Sequence, residues 1–310
     1  MEVGVVTVTY GDRINYVTKL IERVDDLGVK NICVVVNGSS KRKFLNLTKN
    51  NKSKFIFNDE NLGSARGFKQ GMEYLKSQPD IKYLWLLDDD NFPELDALDN
   101  LLKFITNNSF DNNKDALLSF RPDRKHFSKA LQENNGSHML NGKNSALGFS
   151  LFGKKQFTDY QKEGLRVAPY GGFFFHKLLI DQIGYPNETY FLYGDDYDFT
   201  IRVSENGGAI KLVKDSVVKD LELSFHLKEK QNLTIFNTRY HNTENLDRIF
   251  YSVRNGIRFE LKHMVENIVI YHTNLLIYSL IIGLLLSLSL SFKKVAVFYK
   301  GLYLGVFSKN

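Results

Sequence analysis

Short apolar runs alternate with segments of helical periodicity along the first hundred residues. Val3–Tyr10 (VGVVTVTY) and Asn31–Asn37 (NICVVVN) are β-branched and apolar on both alternating faces, as strands buried between two layers are. Between them, Asn15–Gly28 carries apolar side chains at helical spacing, and Gly28 supplies the stop. Ser64–Ser77 repeats the pattern with Phe68, Met72 and Leu75 on one side, and Tyr83–Leu87 (YLWLL) is a further strand. Strands alternating with helices predict an α/β fold, Rossmann-like, with a mainly parallel central sheet and helices on both faces. Ligands of such sheets sit at the carboxyl ends of the strands. Thr9-Tyr10, Asn37-Gly38 and Asp88-Asp89-Asp90 are therefore expected to converge on one crevice.

The middle of the chain is less regular. Residues 106–146 are polar, rich in Asn, Lys and Ser, and are read as a surface excursion with short strands. Order returns at Gly164–Pro186. The second half of Glu188–Gly208 predicts a helix that starts near Asp195 and is closed by Gly207-Gly208, and Ala209–His226 alternates like a strand. Further on, Asn245–His263 is aromatic and basic at helical spacing. Thr273–Phe292 is uncharged throughout and ends at Lys293-Lys294. That length just reaches a membrane span, but its serines and glycine weaken the case. A helical hairpin lying in the membrane interface is the preferred reading, with a single span as the alternative.

Charge sharpens this picture. The 310 residues carry a net charge of +6, and 43% of them are hydrophobic, enough for a substantial core. Residues 1–226 hold 30 basic and 30 acidic side chains, whereas residues 227–310 hold 11 basic against 5 acidic. A basic tail that is also the most apolar part of the chain fits an anionic membrane surface better than nucleic acid. The single cysteine, Cys33, lies in an apolar run, so a buried reduced thiol is expected, as in a cytosolic protein. The first residues lack a basic n-region and a signal-peptide core and lead straight into a strand.

Two acidic clusters carry the candidate chemistry. In KYLWLLDDDNFPE a buried strand runs into Asp88, Asp89 and Asp90. Crowded carboxylates need compensation: they splay into water, pair with Lys or Arg, or hold a divalent cation. Alternate residues of an extended chain point the same way, so Asp88 and Asp90 are the pair to share an ion, with Asp89 turned aside. Oxygen ligands without a thiolate point to Mg²⁺ or Mn²⁺. The second cluster, GDDYDF, carries Asp195, Asp196 and Asp198 at a helix start, where a carboxylate also serves as an N-cap.

These stretches have a family likeness. VVTVTYGDR, VVVNGSS, NDENLGSARGFKQGM, WLLDDDNFP and YFLYGDDYDFTIR occur in the order and spacing of family-2 glycosyltransferases with the GT-A fold. VAPYGGFFF, RIFYSVRN and YKGLYLGVFSKN resemble the bacterial galactofuranosyl- and rhamnosyltransferase branch. The resemblance implies a GT-A catalytic domain over 1–226, with a nucleotide-binding half at about 1–105 and an acceptor-side half at about 106–226. It is followed by a helical, membrane-associating region at 227–310. By the same resemblance Asp88 and Asp90 match the metal-and-nucleotide carboxylates, Asp89 lies beside the donor, and Asp196 matches the catalytic base. Thr9 and Tyr10 border the nucleobase. Asn37 stands where the family commonly has an aspartate. Asn61 and Arg66 fall in the turn facing the diphosphate. Tyr170, Gly171, Gly172 and Asp195 line the sugar and acceptor side; Tyr170, Phe173 or Tyr193 is the ring to stack on the sugar, Tyr170 ahead of the others. His226 occupies the position of an additional metal ligand, with Asp220 as its rival.

The activity implied is metal-dependent, inverting sugar transfer from a UDP- or dTDP-sugar to a hydroxyl of a lipid-linked oligosaccharide. Galactofuranose leads rhamnose or another hexose. The setting implied is bacterial surface polysaccharide assembly, such as O-antigen or capsule, on the cytoplasmic face of the inner membrane. Three other readings stand beside it: a nucleotidyltransferase, a glycoside hydrolase and a non-catalytic membrane-bound carbohydrate-binding protein. The first would show a Gly-rich phosphate loop after the first strand, and VTYGDRIN is a poor one.

Overall fold

The computed structural model describes residues 2–44, 46–49, 53–124, 127, 140–151, 164–222 and 238–308. The chain divides into two compact units. The first comprises Met1–Met139, Gln161–Phe191 and Asp195–Glu222, and the second Leu140–Tyr160, Leu192–Gly194 and Leu223–Asn310.

The first unit is built on an eight-stranded sheet. Its strands are β1 (Val3–Tyr10), β2 (Asn31–Asn37), β3 (Ser53–Asn58), β4 (Tyr83–Leu86), β5 (Asn91–Pro93), β6 (Ala116–Phe120), β7 (Phe173–His176) and β8 (Ile210–Asp220). Their order is β3-β2-β1-β4-β7-β6-β8-β5. The sheet is mixed: β3, β2, β1 and β4 are parallel, β7 runs antiparallel to both β4 and β6, and β6 pairs parallel with β8. β5 closes the edge antiparallel to the end of β8.

Both faces are covered, as the continuous apolar strands require. One face packs Val6, Cys33, Val35, Leu86 and Phe173 against α2 (Ser64–Lys76), α4 (Leu179–Ile183) and α5 (Asp195–Glu205). The other packs Val34, Trp85, Leu117 and Phe174 against α1 (Ile14–Asp26) and α3 (Ala97–Asn107). Helix α2 sits unusually close to the sheet because Gly67 and Gly71 lie over Val8 and Val6, where a Cβ would overlap the valine methyls. Cys33 is buried, and burial pushes its thiol up to about 12, which keeps it protonated.

The second unit is helical: α6 (Arg239–Asn242), α7 (Leu246–His263), α8 (Ile268–Leu288) and α9 (Phe292–Phe307). Gly301 and Gly305, one turn apart, let α9 approach α7 closely; a Cβ on either would meet Val253 or Ile257 at about 3 Å. The core gathers Tyr240, Ile249, Val253, Ile257, Tyr271, Leu275, Ile282, Leu286 and Phe298. The segment 140–151 is lashed to this bundle by buried polar groups. Glu260 accepts from Leu147 N–H at 2.9 Å and from the Tyr271 hydroxyl at 3.0 Å. Asn274 donates to Asn144 O and accepts from Leu151 N–H, each at 2.9 Å.

Candidate active site

Sheet register brings the chemistry to one edge. β1, β2 and β4 are parallel, so Tyr10, Asn37 and the residues after Leu86 emerge on the same side. Leu86 pairs with Phe173, which places Gly171 and Gly172, just before antiparallel β7, beside Asp88. Leu118 also pairs with Phe173, so Arg121, just past β6, arrives there too. Asn91 pairs with Asp220 at the end of β8.

The Asp88–Asp90 triplet is held by guanidiniums from distant parts of the chain. Asp89 is buried: it accepts from the Thr9 hydroxyl at 2.6 Å and from Arg13 Nε at 2.9 Å. Asp89 is thus a structural anchor turned into the protein, as the alternation predicts, and Thr9 braces it. Arg13 extends to Asp90 at 3.4 Å and to Glu222 at 2.6 Å. Arg121, nearly fully buried, pairs with Asp220 and lies 3.5 Å from Asp88. Arg124 takes the other oxygen of Asp220 at 2.8 Å. Asp220 is therefore the counter-ion of two arginines, which argues against it as a metal ligand. His226 lies outside the described residues.

Among the described residues, the guanidiniums of Arg13, Arg121 and Arg124 face the carboxylates of Asp88, Asp89, Asp90, Asp220 and Glu222. The crowding shows in proton affinity. Burial, then the charges of Asp88, Asp89 and Asp220, push Asp90 up to about 7. Asp88 is raised mainly by the protein wall beside it and opposed by Arg121; its side chain is 41% exposed, so solvent discounts the effect. Gly171 presses on this spot. A Cβ there would stand 2.6 Å from both Asp88 Oδ2 and Asn91 Oδ1 and 2.5 Å from Arg121 Nη1. Gly172 adopts φ +96°, and its N–H donates to Leu86 O at 2.8 Å.

The second acidic group opens helix α5. Asp195 is buried and accepts from the Ser64 hydroxyl, at the start of α2, at 2.6 Å. Burial pushes its carboxyl up to about 6 against that hydrogen bond. Asp196 is half-buried, and its carboxylate accepts from Tyr197 N–H at 2.8 Å. Desolvation raises Asp196 well above the carboxylate range, followed by the charges of Asp195 and Asp88. The fields of the two acidic groups thus overlap. A carboxylate with raised proton affinity is what a general base near neutral pH requires.

Other expected positions fall differently. The Tyr170 ring is buried, 4.2 Å from Phe68 and 6.3 Å from Phe199 between centroids, so it is not free to stack on a sugar. Its hydroxyl, pushed upward by burial and by Asp195, is buried and among the described residues has no hydrogen-bond partner of good geometry. Asn37 is likewise buried and spent within the chain. It donates to Gly63 O at 2.9 Å and accepts from Asn58 at 2.7 Å, bracing the turn before α2. Tyr10 is the exposed side chain of that strand end. Asn61 accepts from Gly63 N–H at 3.0 Å, which shapes the turn, and Gly63 adopts φ +84° against the Phe191 backbone. Arg66 is half exposed, with Nε 3.2 Å from Glu188.

Arg13, Ser64, Asn91, Arg121 and Arg124 were not expected from the sequence as site residues. Arg13 lies in YGDR and both other arginines in FRPDRK, where nothing local announces partners some 75 to 100 residues away. Among the described residues, no group of three or more His, Cys, Asp or Glu side chains forms a ready metal cage.

Comparison with known proteins gives the family and the fold. The family described as "Glycosyl transferase family 2" matches residues 4–182, more than half of the chain. The chain belongs to glycosyl transferase family 2. Among solved structures it is similar to S. aureus TarS 1–349: 12% identity over 97% of this chain and 90% of that one, TM-score 0.53. The same fragment in complex with UDP-GlcNAc gives 11% identity over the same shares and a TM-score of 0.52. GalNAc-T7 with UDP, GalNAc and Mn²⁺ is 14% identical over 71% of this chain, with a TM-score of 0.48; the match covers 44% of that chain, less than half its length. No curated protein matches the sequence. Likeness at these identities establishes the mixed α/β GT-A fold.

Proposed function

We propose that this family-2 glycosyltransferase transfers a sugar with inversion from a UDP- or dTDP-sugar to a hydroxyl of a lipid-linked glycan during assembly of a bacterial surface polysaccharide. Galactofuranose is the favoured sugar, on the VAPYGGFFF segment, ahead of rhamnose and other hexoses. The observation that supports this reading is the gathering of Asp88, Gly171, Asn91 and Arg121 at the carboxyl edge of the sheet, in a chain that belongs to glycosyl transferase family 2.

The residues divide the work by their surroundings. Asp88 and Asp90 are only partly offset by Arg121 and Arg13 and offer only oxygen donors, which suits Mg²⁺ or Mn²⁺ that takes its other ligands from phosphate and water. Such an ion, when bound, supplies Lewis-acid neutralisation of the leaving diphosphate. Asp89, clamped by Thr9 and Arg13, fixes the strand tip so that its neighbours keep their direction. Arg121 and Arg124, oriented by Asp220, add positive charge beside Asp88. Asp196 accepts the proton of the acceptor hydroxyl as that oxygen attacks the anomeric carbon, on the face opposite the departing diphosphate. Asp195, locked by Ser64, keeps Asp196 basic by its adjacent charge. Direct displacement of this kind inverts the anomeric centre, as in inverting glycosidases, where water is the nucleophile.

The reading is tested by titrating purified protein with a panel of UDP- and dTDP-sugars in the presence of Mn²⁺. Saturable binding of one donor, with slow hydrolysis unless acceptor is added, is expected. Hydrolysis at full rate without acceptor would favour a hydrolase, and no binding to any donor would remove the proposal.

A further inference from the structure

Helix α8 is apolar on all sides, yet only half of it is covered. Its inner side packs Tyr271, Leu275, Ile282 and Leu286 into the core of the second unit. Its outer side leaves Leu276, Leu280, Leu284 and Leu288 between 59% and 71% exposed. A surface helix of a water-soluble protein is polar on that side. Helix α9 repeats the arrangement. Its glycines face α7, while Phe292, Tyr303 and Phe307 on its free side are each at least 60% exposed.

Tyr299 joins the two faces. It belongs to the free side of α9, and its hydroxyl donates to Ser279 O on α8 at 3.0 Å, next to Leu280. The result is one apolar surface, its exposed leucines each presenting on the order of 100 Å² and the whole exceeding the few hundred Å² common on monomers. Lys293 and Lys300 are exposed on α9, and no acidic residue follows Glu266.

We infer that this α8–α9 face lies in the interface of an anionic lipid bilayer, bound from one side without crossing it. The charge pattern chooses the occupant: a second copy docked face to face would bring lysines against lysines with no carboxylate from the patch to meet them. Aromatic rings and lysines rimming leucines suit headgroups above acyl chains. Crossing the bilayer is opposed by the other side of the same helix. There Asn274 is hydrogen-bonded to the irregular segment 140–151, whose Asn141 and Leu151 are exposed, and exposed loop backbone is not found facing lipid at membrane depth. The inference is independent of what the first unit catalyses.

Flotation of the full chain with two-to-one phosphatidylcholine–phosphatidylglycerol vesicles tests it. The wild type should float with these vesicles and bind pure phosphatidylcholine vesicles far less. Leu280→Glu with Leu284→Glu should reduce partition at least about tenfold, because charges enter the buried face. Lys293→Gln and Lys300→Gln, both at exposed positions, should each cost about fivefold on anionic vesicles only, with melting temperature measured alongside because Lys300 lies over the Phe250 ring. Vesicle binding unchanged by the glutamates would overturn the inference. So would a lipid-free dimer that the glutamates dissociate, or wild-type protein that resists release by alkaline carbonate, as a span does.

Discussion

Asp196, in the first turn of α5, is pushed up in proton affinity by desolvation first and by adjacent Asp195 next, with a smaller part from Asp88, just past β4 and more than a hundred residues away. Neither element alone explains the relationship. It arises because β7 runs antiparallel to β4 and delivers Gly171 against Asp88, while Ser64 ties the start of α2 to Asp195. A donor site and a base site thus share one edge, and the predictions probe how that edge is maintained.

Removing the charge of Asp90 should weaken metal and donor together. Asp90→Asn is expected to raise the Mn²⁺ concentration needed for donor binding at least about tenfold, because magnesium-type ions rest on one or two carboxylates and the donor's phosphates. Calorimetric donor titrations at several Mn²⁺ concentrations measure this. Unchanged metal dependence would move the site elsewhere.

Arg121 and Asp220 are both buried, and removing Arg121 leaves Asp220 to Arg124 and Asn91 and takes the nearest guanidinium from Asp88. Arg121→Gln should destabilise the protein by about 1–3 kcal/mol, the range for a lost hydrogen bond to a buried charged group. The double variant with Asp220→Asn should recover part of that loss. Denaturant unfolding of the three proteins gives the coupling directly, and additive losses would deny the interaction.

Gly171→Ala tests the close approach at the strand tip. The added methyl must displace Asp88, Asn91 or Arg121, none of which belongs to the hydrophobic core. The expected result is donor affinity at least about tenfold weaker, in the range of a misplaced binding group, with the melting temperature shifted by only a few degrees. A variant that binds donor normally would show that Asp88 has room to move.

Glu260 provides a pH-dependent signal away from the catalytic cluster. Burial raises its carboxyl from 4.5 to about 7, so the native state holds its proton more tightly than the unfolded chain does. Its stabilising protonation is complete below about pH 4.5 and lost as pH rises through 7. Across that window Glu260→Gln should flatten the fall in stability by about 2–3 kcal/mol relative to wild type. Melting curves from pH 4.5 to 8 check it; parallel curves would refute it.

How much of this was legible beforehand depends on the range of the interaction. β1, β2 and β4 were readable because strands covered on both faces must be apolar throughout, and the same logic put their carboxyl ends on one edge. Strand β3 carries a weak signal: SKFIFN begins polar, and its residues are half-buried apart from exposed Lys54. Alternation sets Asp89 aside from Asp88 and Asp90 but says nothing of its partners, since Thr9 and Arg13 meet it only through β1–β4 pairing. Tyr170 misled because a tyrosine before two glycines reads like an exposed ligand platform. Its neighbours Phe68 and Phe199 come from α2 and α5 and bury it. Burial against elements far along the chain leaves no local trace.

The central claim is that Asp196 takes the acceptor's proton while the Asp88–Asp90 tip holds the donor. Its most direct test is Asp196→Asn, followed by donor affinity and turnover measured on the same preparation. The account predicts a donor Kd within about threefold of wild type and turnover reduced about 10²–10⁴-fold, the usual contribution of a general base. Turnover at the wild-type rate would contradict it.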